Sequence, residues 1–122
     1  FVHEAALAEG LILGKRAGVE LAPLLEAIQH SYAGSFVADF DGPRVLDGNY
    51  DSSFGIGLAL KDMHLTHGLG RELNVPLVFG SLATDVLERS QDKYGKDSDT
   101  LEAVKLIEEE IGERLGRTKT TD

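Results

Sequence analysis

The chain has 122 residues, of which 42% are hydrophobic and 27% charged, the composition of one ordinary globular domain rather than a disordered segment. Its net charge is -9 and its Lys and Arg residues form no large cluster, which argues against a nucleic-acid partner. No apolar run reaches the ~20 residues of a membrane helix, and the absence of cysteine excludes disulfides and thiolate metal sites. We expect a cytoplasmic protein that binds neither nucleic acid nor membrane.

The first residues already have the pattern of a helix interior. The chain begins with Phe1 rather than Met, and no Ser, Thr, Asp or Asn precedes residues 4–9 as an N-cap. A helix normally satisfies its first free N–H groups with such a cap. We therefore expect that a segment upstream of Phe1 has been removed.

Apolar residues recur at helical spacing, whereas the alternation typical of strands does not persist. This pattern predicts an all-α single domain of about six helices over residues 1–115, with a flexible tail over 116–122. The predicted helices cover residues 1–17, 21–31, 35–40 with a possible further turn at 44–46, 55–73, 77–94, and a last helix after Asp99. The helix over 55–73 is apolar on much of its circumference, which predicts the long central helix of a bundle.

Residues that stop or start helices support these bounds. Gly18, Asn74 and Gly95 stand where a left-handed residue or a glycine would end the first, fourth and fifth helices. Asp99 and Glu102 have the spacing of a capping box before the sixth helix.

Small residues line one side of the first helix. Ala6, Gly10 and Gly14 are spaced by four, so they share a face. Each glycine costs about 1 kcal/mol relative to alanine inside a helix. Close approach of another backbone would offset that cost, so this face is a candidate helix–helix seam.

Most patterns that could carry chemistry are weak. The chain has no glycine-rich phosphate loop after a strand, so it has no dinucleotide-binding fingerprint of its own. His64 and His67 share a helix face, but only Asp62 or His3 could add a further ligand, and we predict no metal site. With no cysteine and no serine in a Gly-x-Ser-x-Gly turn, we also predict no catalytic nucleophile.

Lys61 and Asp62 form the most informative charged pair. They lie two turns into the longest apolar helix, where a lysine beside Leu60 and Met63 either extends to solvent or faces a polar cleft. Adjacent residues point about 100° apart on a helix, so the two do not pair with each other. Spacing alone favours solvated charges over a functional pair.

Several short segments, in their order and spacing, carry a resemblance to a known family. They are Glu4–Glu9 with Lys15–Gly18, Ser31–Phe36 (SYAGSF), Gly42–Arg44, Tyr50–Phe54 (YDSSF), Leu58–Leu65 (LALKDMHL) and Arg71–Leu77 (RELNVPL). Together they resemble the C-terminal helical domain of the β-hydroxyacid dehydrogenases, a family that includes 3-hydroxyisobutyrate dehydrogenase and tartronate semialdehyde reductase and whose helical domain is similar to that of 6-phosphogluconate dehydrogenase. The similarity extends to about Ile111.

The resemblance implies an NAD- or NADP-dependent oxidoreductase that interconverts a small β-hydroxyacid and its semialdehyde by hydride transfer. It implies that Phe54 and Asp62 belong to the substrate pocket and that Lys61 reaches the cofactor. The family's general acid/base lysine lies in a Lys-x-x-Asn pattern before the segment at Glu4, and its Rossmann domain lies further upstream. This chain contains neither, so we expect no catalytic residue in it, and no activity from it alone.

Family resemblance also implies a homo-oligomer, a dimer or tetramer formed through helices. The main alternative is a free-standing helical interaction module without catalysis, whose glycine-lined first helix pairs with a partner. A metal-binding bundle built on the four histidines is the weakest alternative.

Overall fold

The computed structural model describes residues 1–117 of the chain. Within them it contains six α-helices and no β-strand, which confirms the predicted all-α single domain. The helices are α1 (Val2–Arg16), α2 (Leu21–Gln29), α3 (Phe36–Leu46), α4 (Ile56–Glu72), α5 (Val78–Tyr94) and α6 (Glu102–Ile111). None of these helices is long and apolar enough to cross a bilayer.

The first helix occupies the middle of the domain. α1 packs against α2, α3, α5 and α6, and Leu11 on its inward face is fully buried. The main core joins side chains from five parts of the chain: Ala8, Leu11, Ile12, Leu25, Val45, Leu101, Val104, Ile107 and Leu115. The position of α1 therefore determines where the other helices dock.

The fourth helix has nearly the predicted bounds but not the predicted position. It packs chiefly against α5, so it lies at the edge of the domain, and the prediction of a central helix over residues 55–73 is wrong. Its inward side joins a smaller core of Ile56, Ala59, Leu60, Leu87 and Ala103. Leu58, Leu65 and Leu69 on its other side are exposed. The apolar pattern indicates which faces of the helix are hydrophobic, but it does not indicate whether another helix covers them.

The third helix is longer than predicted. α3 runs without interruption from Phe36 to Leu46, whereas the sequence predicted a helix over residues 35–40 and a separate turn. Pro43 removes only its own bond to the carbonyl of Asp39. Gly42 packs directly against Leu25, because a Cβ at this position would lie only 2.6 Å from Leu25 Cδ1. This contact between α2 and α3 keeps the helix continuous.

The predicted helix ends are found at several positions. Asn74 and Gly95 both have positive φ angles, 56° and 95°, directly after the fourth and fifth helices. Glu102 Oε2 accepts the backbone N–H of Asp99 at 3.2 Å, which is one half of the predicted capping box. The carboxylate of Asp99 instead accepts from Leu101 N at 3.1 Å and from a distant loop.

Beyond α6 the chain folds back onto the domain. Gly112 is left-handed, with φ of 74°, and ends the helix. Leu115 and Gly116 are buried, and Arg117 N donates to Leu46 O at 3.0 Å. The described part of the predicted flexible tail is thus hydrogen-bonded to the domain, and residues 118–122 lie outside the described part.

Candidate functional site

Phe54 lies at the entrance to α4, one residue before the N-cap Gly55. Its side chain is 38% exposed, and its ring centroid lies 6.1 Å from that of Phe1. The two rings meet where α1 and α4 begin. The predicted substrate-pocket residue therefore belongs to an aromatic pair that is open to solvent on one side.

Lys61 and Asp62 lie on α4, two turns beyond Phe54, and both side chains are exposed. Phe54 precedes the helix, and Lys61 lies about 9 Å along the helix axis from the N-cap Gly55. Asp62 lies about 100° further around the helix. Neither side chain forms an ion pair within residues 1–117, although the backbone carbonyl of Asp62 accepts from Thr66 Oγ1 at 2.8 Å.

An exposed ammonium without a carboxylate partner is suited to an anion supplied from outside the domain. Phosphate and carboxylate oxygens are the usual acceptors for such a group. The donor chemistry of Lys61 therefore fits the phosphates of a dinucleotide cofactor or the carboxylate of a hydroxyacid. Phe54, at the start of the same helix, offers an exposed aromatic surface of the kind that lines small-molecule pockets.

The segment before α4 is tied to the start of α6 by one carboxylate. Asp99 Oδ1 accepts from Ser52 N at 2.9 Å and from the Ser52 hydroxyl, and Asp99 Oδ2 accepts from Phe54 N at 3.3 Å. Phe54 O in turn accepts from Thr100 N at 3.0 Å, and Ile56 N donates to Ser98 O at 2.9 Å. These bonds fix the path of the backbone on both sides of Phe54.

Two acidic side chains that were not predicted as functional residues lie buried between α1 and α3. Glu4 is 8% exposed and Asp41 is 9% exposed, and both line a small cavity with Leu11, Val45 and their neighbours. Burial, together with the nearby charges of Asp41 and Asp99 and opposed in part by the positive amino terminus, raises the pKa of the Glu4 carboxyl to about 7. Burial also raises the pKa of Asp41.

A cationic side chain lies close to this pair. The Arg44 guanidinium lies over the Phe40 ring, 4.3 Å from its centroid, and its Nη1 lies 3.8 Å from Asp41 Oδ1. The same Nη1 donates to the carbonyl of Asp51 at 3.2 Å, which connects α3 to the loop before Phe54. The sequence signal for this group is the segment Gly42–Arg44, which is one of the motifs of the family resemblance.

The glycine face of α1 has two different surroundings. A Cβ at Gly14 would lie 2.2 Å from Leu24 Cδ2, so here α1 and α2 form the predicted close seam. A Cβ at Gly10 would meet nothing within 4 Å, because Gly10 borders an open cavity of about 450 Å³ that Tyr32 and Ser35 also line. The seam lies within the domain rather than between two molecules.

The histidines face different partners across the α4–α5 groove. His64 Nε2 lies 2.9 Å from Glu88 Oε1, and His67 Nε2 lies 2.9 Å from Thr84 Oγ1. Over the part of the chain that the structure describes, no three His, Asp or Glu side chains converge as metal ligands.

Comparison with known proteins relates this helical domain to oxidoreductases. The chain is 28% identical over 100 residues to L-threonate dehydrogenase of Escherichia coli (strain K12), covering 81% of this chain and 33% of the relative. It is 28% identical over 109 residues to 2-(hydroxymethyl)glutarate dehydrogenase of Eubacterium barkeri, covering 88% and 36%. The chain thus spans about a third of the length of the curated relatives that it matches.

A solved structure shares the fold as well. The crystal structure of 3-hydroxyisobutyrate dehydrogenase from Salmonella typhimurium superposes with a TM-score of 0.77 at 26% identity, covering 86% of this chain and 37% of that one. The family profile described as "NAD-binding of NADP-dependent 3-hydroxyisobutyrate dehydrogenase" matches residues 1–107. Since that match takes in five helices and half of the sixth, the chain belongs to this family, the β-hydroxyacid dehydrogenases to which its motifs pointed.

Proposed function

We propose that this domain is the helical C-terminal part of an NAD(P)-dependent oxidoreductase that interconverts a small β-hydroxyacid and its semialdehyde. The observation that carries the proposal is the exposed surface of Phe54, Lys61 and Asp62 at the positions that the family motifs mark. The dehydrogenase relatives support it at the level of the reaction class. In this proposal the surface is one wall of a cleft, and a nucleotide-binding domain forms the other wall.

Each of the three side chains has a role that follows from its chemistry. The Lys61 ammonium would hold an anionic oxygen of NAD or NADP, and Phe54 would cover the apolar part of the substrate and exclude water from it. Asp62, turned about 100° from Lys61, would accept a hydrogen bond from a substrate hydroxyl. The nicotinamide, when bound, supplies or accepts the hydride.

Proton transfer to or from the substrate oxygen needs a further group. The family's acid/base lysine stands in a pattern that this chain does not contain, so in this proposal the domain by itself does not turn over substrate. It closes the cleft and orients substrate and cofactor for a partner domain.

The test is kinetic and uses the enzyme in which this domain is joined to its nucleotide-binding domain. Lys61→Ala should raise the KM for the cofactor by about tenfold, the expected loss for one charge-assisted hydrogen bond, with little change in thermal stability. Arg71→Ala is the matched control, a cation ten residues further along α4. Unchanged constants for Lys61→Ala would remove this residue from the site.

We also propose that a second copy of the chain covers the far end of the α4–α5 pair. Six apolar side chains there are more than half exposed: Leu69, Leu73, Val75, Val78, Phe79 and Leu82. Exposed apolar patches of this kind mark interaction surfaces, and two-fold self-association is the commonest way to cover one. α4 has 17 residues, so this surface lies about 25 Å from Phe54 and leaves the cleft wall free.

A further inference from the structure

We infer that Asp99 is a positioning residue for Phe54, and that it acts on substrate binding only through the placement of that ring. The inference rests on the proposed function of Phe54. Asp99 lies 45 residues away along the chain, at the start of α6, and its side chain is half-buried. Its carboxylate joins the loop before Phe54 to the first turn of α6.

Backbone bonds fix the position from which the Phe54 ring projects. The ring is partly exposed and has Phe1 as its aromatic neighbour, so little of its position is fixed by a core. The backbone of Phe54, in contrast, is held on both sides, because its N–H donates to Asp99 Oδ2 and its carbonyl accepts from Thr100 N. An exposed side chain on a fixed backbone is preorganised to contact a ligand.

The loop leading to Phe54 has a conformation that needs support. Ser53 has a φ of 61°, a left-handed conformation that costs a non-glycine residue stability. Asp51 Oδ1 accepts from Ser53 N at 2.8 Å and gives local help. The bonds from Ser52 N and Phe54 N to Asp99 hold the residues on either side of Ser53.

A carboxylate is the group that this position requires. Four donors converge on it: the backbone N–H groups of Ser52, Phe54 and Leu101 and the Ser52 hydroxyl. An ionised carboxylate accepts with both oxygens, whereas an asparagine accepts with one and presents its NH₂ to a donor on the other side. Oδ1 receives three of these bonds and Oδ2 only the one from Phe54 N. Asp99→Asn with its NH₂ at the Oδ2 position therefore keeps the shape of the side chain and loses the bond to Phe54 N.

The experiment is a double-mutant cycle in the joined enzyme, with Phe54→Ala and Asp99→Asn as the single variants. We expect each variant to raise the KM for the hydroxyacid, Asp99→Asn by about tenfold from the loss of the hydrogen bond to Phe54 N, with the cofactor KM unchanged. If Asp99 acts through the ring, Asp99→Asn should have little further effect in the Phe54→Ala background. Asp97→Asn, an exposed acid in the same loop, is the matched control.

Different results would overturn different claims. Independent effects that multiply in the double variant, or an unchanged KM for Asp99→Asn while Phe54→Ala raises it, would overturn the positioning role alone. An unchanged KM for Phe54→Ala would overturn the proposed function of this surface and the positioning role with it. If Asp99→Asn does not fold, Ser52→Ala takes its place in the same cycle; this variant loses the hydroxyl's bonds to Asp99 Oδ1 and Thr100 Oγ1 and keeps the backbone bonds.

Discussion

Tyr50 donates its hydroxyl hydrogen to Glu108 Oε2, 58 residues further along the chain. Glu108 is only 4% exposed, and its other oxygen accepts from Leu115 N at 2.8 Å. This carboxylate therefore ties both the loop after α3 and the segment after α6 to the last helix. Burial, together with the hydrogen bond to Glu108, raises the pKa of Tyr50, so its hydroxyl acts as a donor at any ordinary pH.

Tyr50→Phe should lower the free energy of unfolding by about 1–3 kcal/mol, because it leaves a buried carboxylate oxygen without its donor. The measurement is urea denaturation of the chain followed by circular dichroism. Glu109→Gln is the control: Glu109 is the next residue but is exposed and pairs with Lys93 at the surface, so about 0.5 kcal/mol or less is expected. Equal losses in the two variants would contradict the structural role of Glu108.

The buried Glu4 should make stability depend on pH. Its pKa is about 7 in the folded chain against an ordinary 4.5, so the folded state holds this proton more tightly than the unfolded state does. The contribution of Glu4 to the free energy of unfolding therefore falls as pH rises from about 4.5 to about 7. The size of this fall is on the order of 2–3 kcal/mol.

Glu4→Gln tests this dependence because it keeps the side-chain shape and removes the titration. We expect the variant to be more stable than the parent chain at pH 8 and to show a flatter profile between pH 5 and 8, measured by denaturant unfolding at each pH. Glu9→Gln, an exposed position on the same helix, should reproduce the parent profile. A parent slope that survives in Glu4→Gln would assign the dependence to another group.

The two glycines of α1 should respond differently to alanine. Gly10→Ala adds a methyl group to open space and should stabilise the chain by about 0.5–1 kcal/mol through helix propensity. Gly14→Ala should gain less or lose stability, because the methyl group meets Leu24 Cδ2. In a Leu24→Ala background the penalty at Gly14 should disappear. Equal melting-temperature shifts for both alanines would contradict the seam.

Self-association should depend on the far end of the α4–α5 pair. Phe79 is 74% exposed, and Phe79→Ser combined with Leu69→Ser should shift the chain toward monomer in sedimentation-velocity runs over a concentration series. Leu13→Ser, an equally exposed apolar residue on α1, serves as the control and should leave the distribution unchanged. A parent chain that is monomeric throughout the series would rule out this interface.

Local signals in the sequence were sufficient for the helices. Apolar residues at helical spacing, with Gly18, Asn74 and Gly95 at the ends, placed α1, α4 and α5 to within about two residues. Such signals act between residues close in sequence, so they can be read without knowing the fold. The exception is α3, for which the prediction left a gap over residues 41–43, whereas the structure has a continuous helix with Gly42 packed against Leu25.

The candidate site could be predicted only in part. Phe54, Lys61 and Asp62 were singled out through motifs, and the structure puts all three on the surface of one helix and its entrance. The residues that support them gave no comparable signal, because the bonds from Asp99 to Ser52 and Phe54 join segments about 45 residues apart. Nothing in the local sequence of Asp99 beyond its capping spacing indicates those partners.

The sequence by itself determined most of the secondary structure, the family and the residue types at the proposed cleft wall. Tertiary structure decided which charged residues are solvated and which are buried. Glu108 belongs to an acidic run of the kind that is usually exposed, yet it is buried, whereas its neighbour Glu109 is exposed. It also decided that α1, not α4, is central. Burial depends on which helix faces meet, and that is set by the sum of many distant contacts rather than by any local pattern.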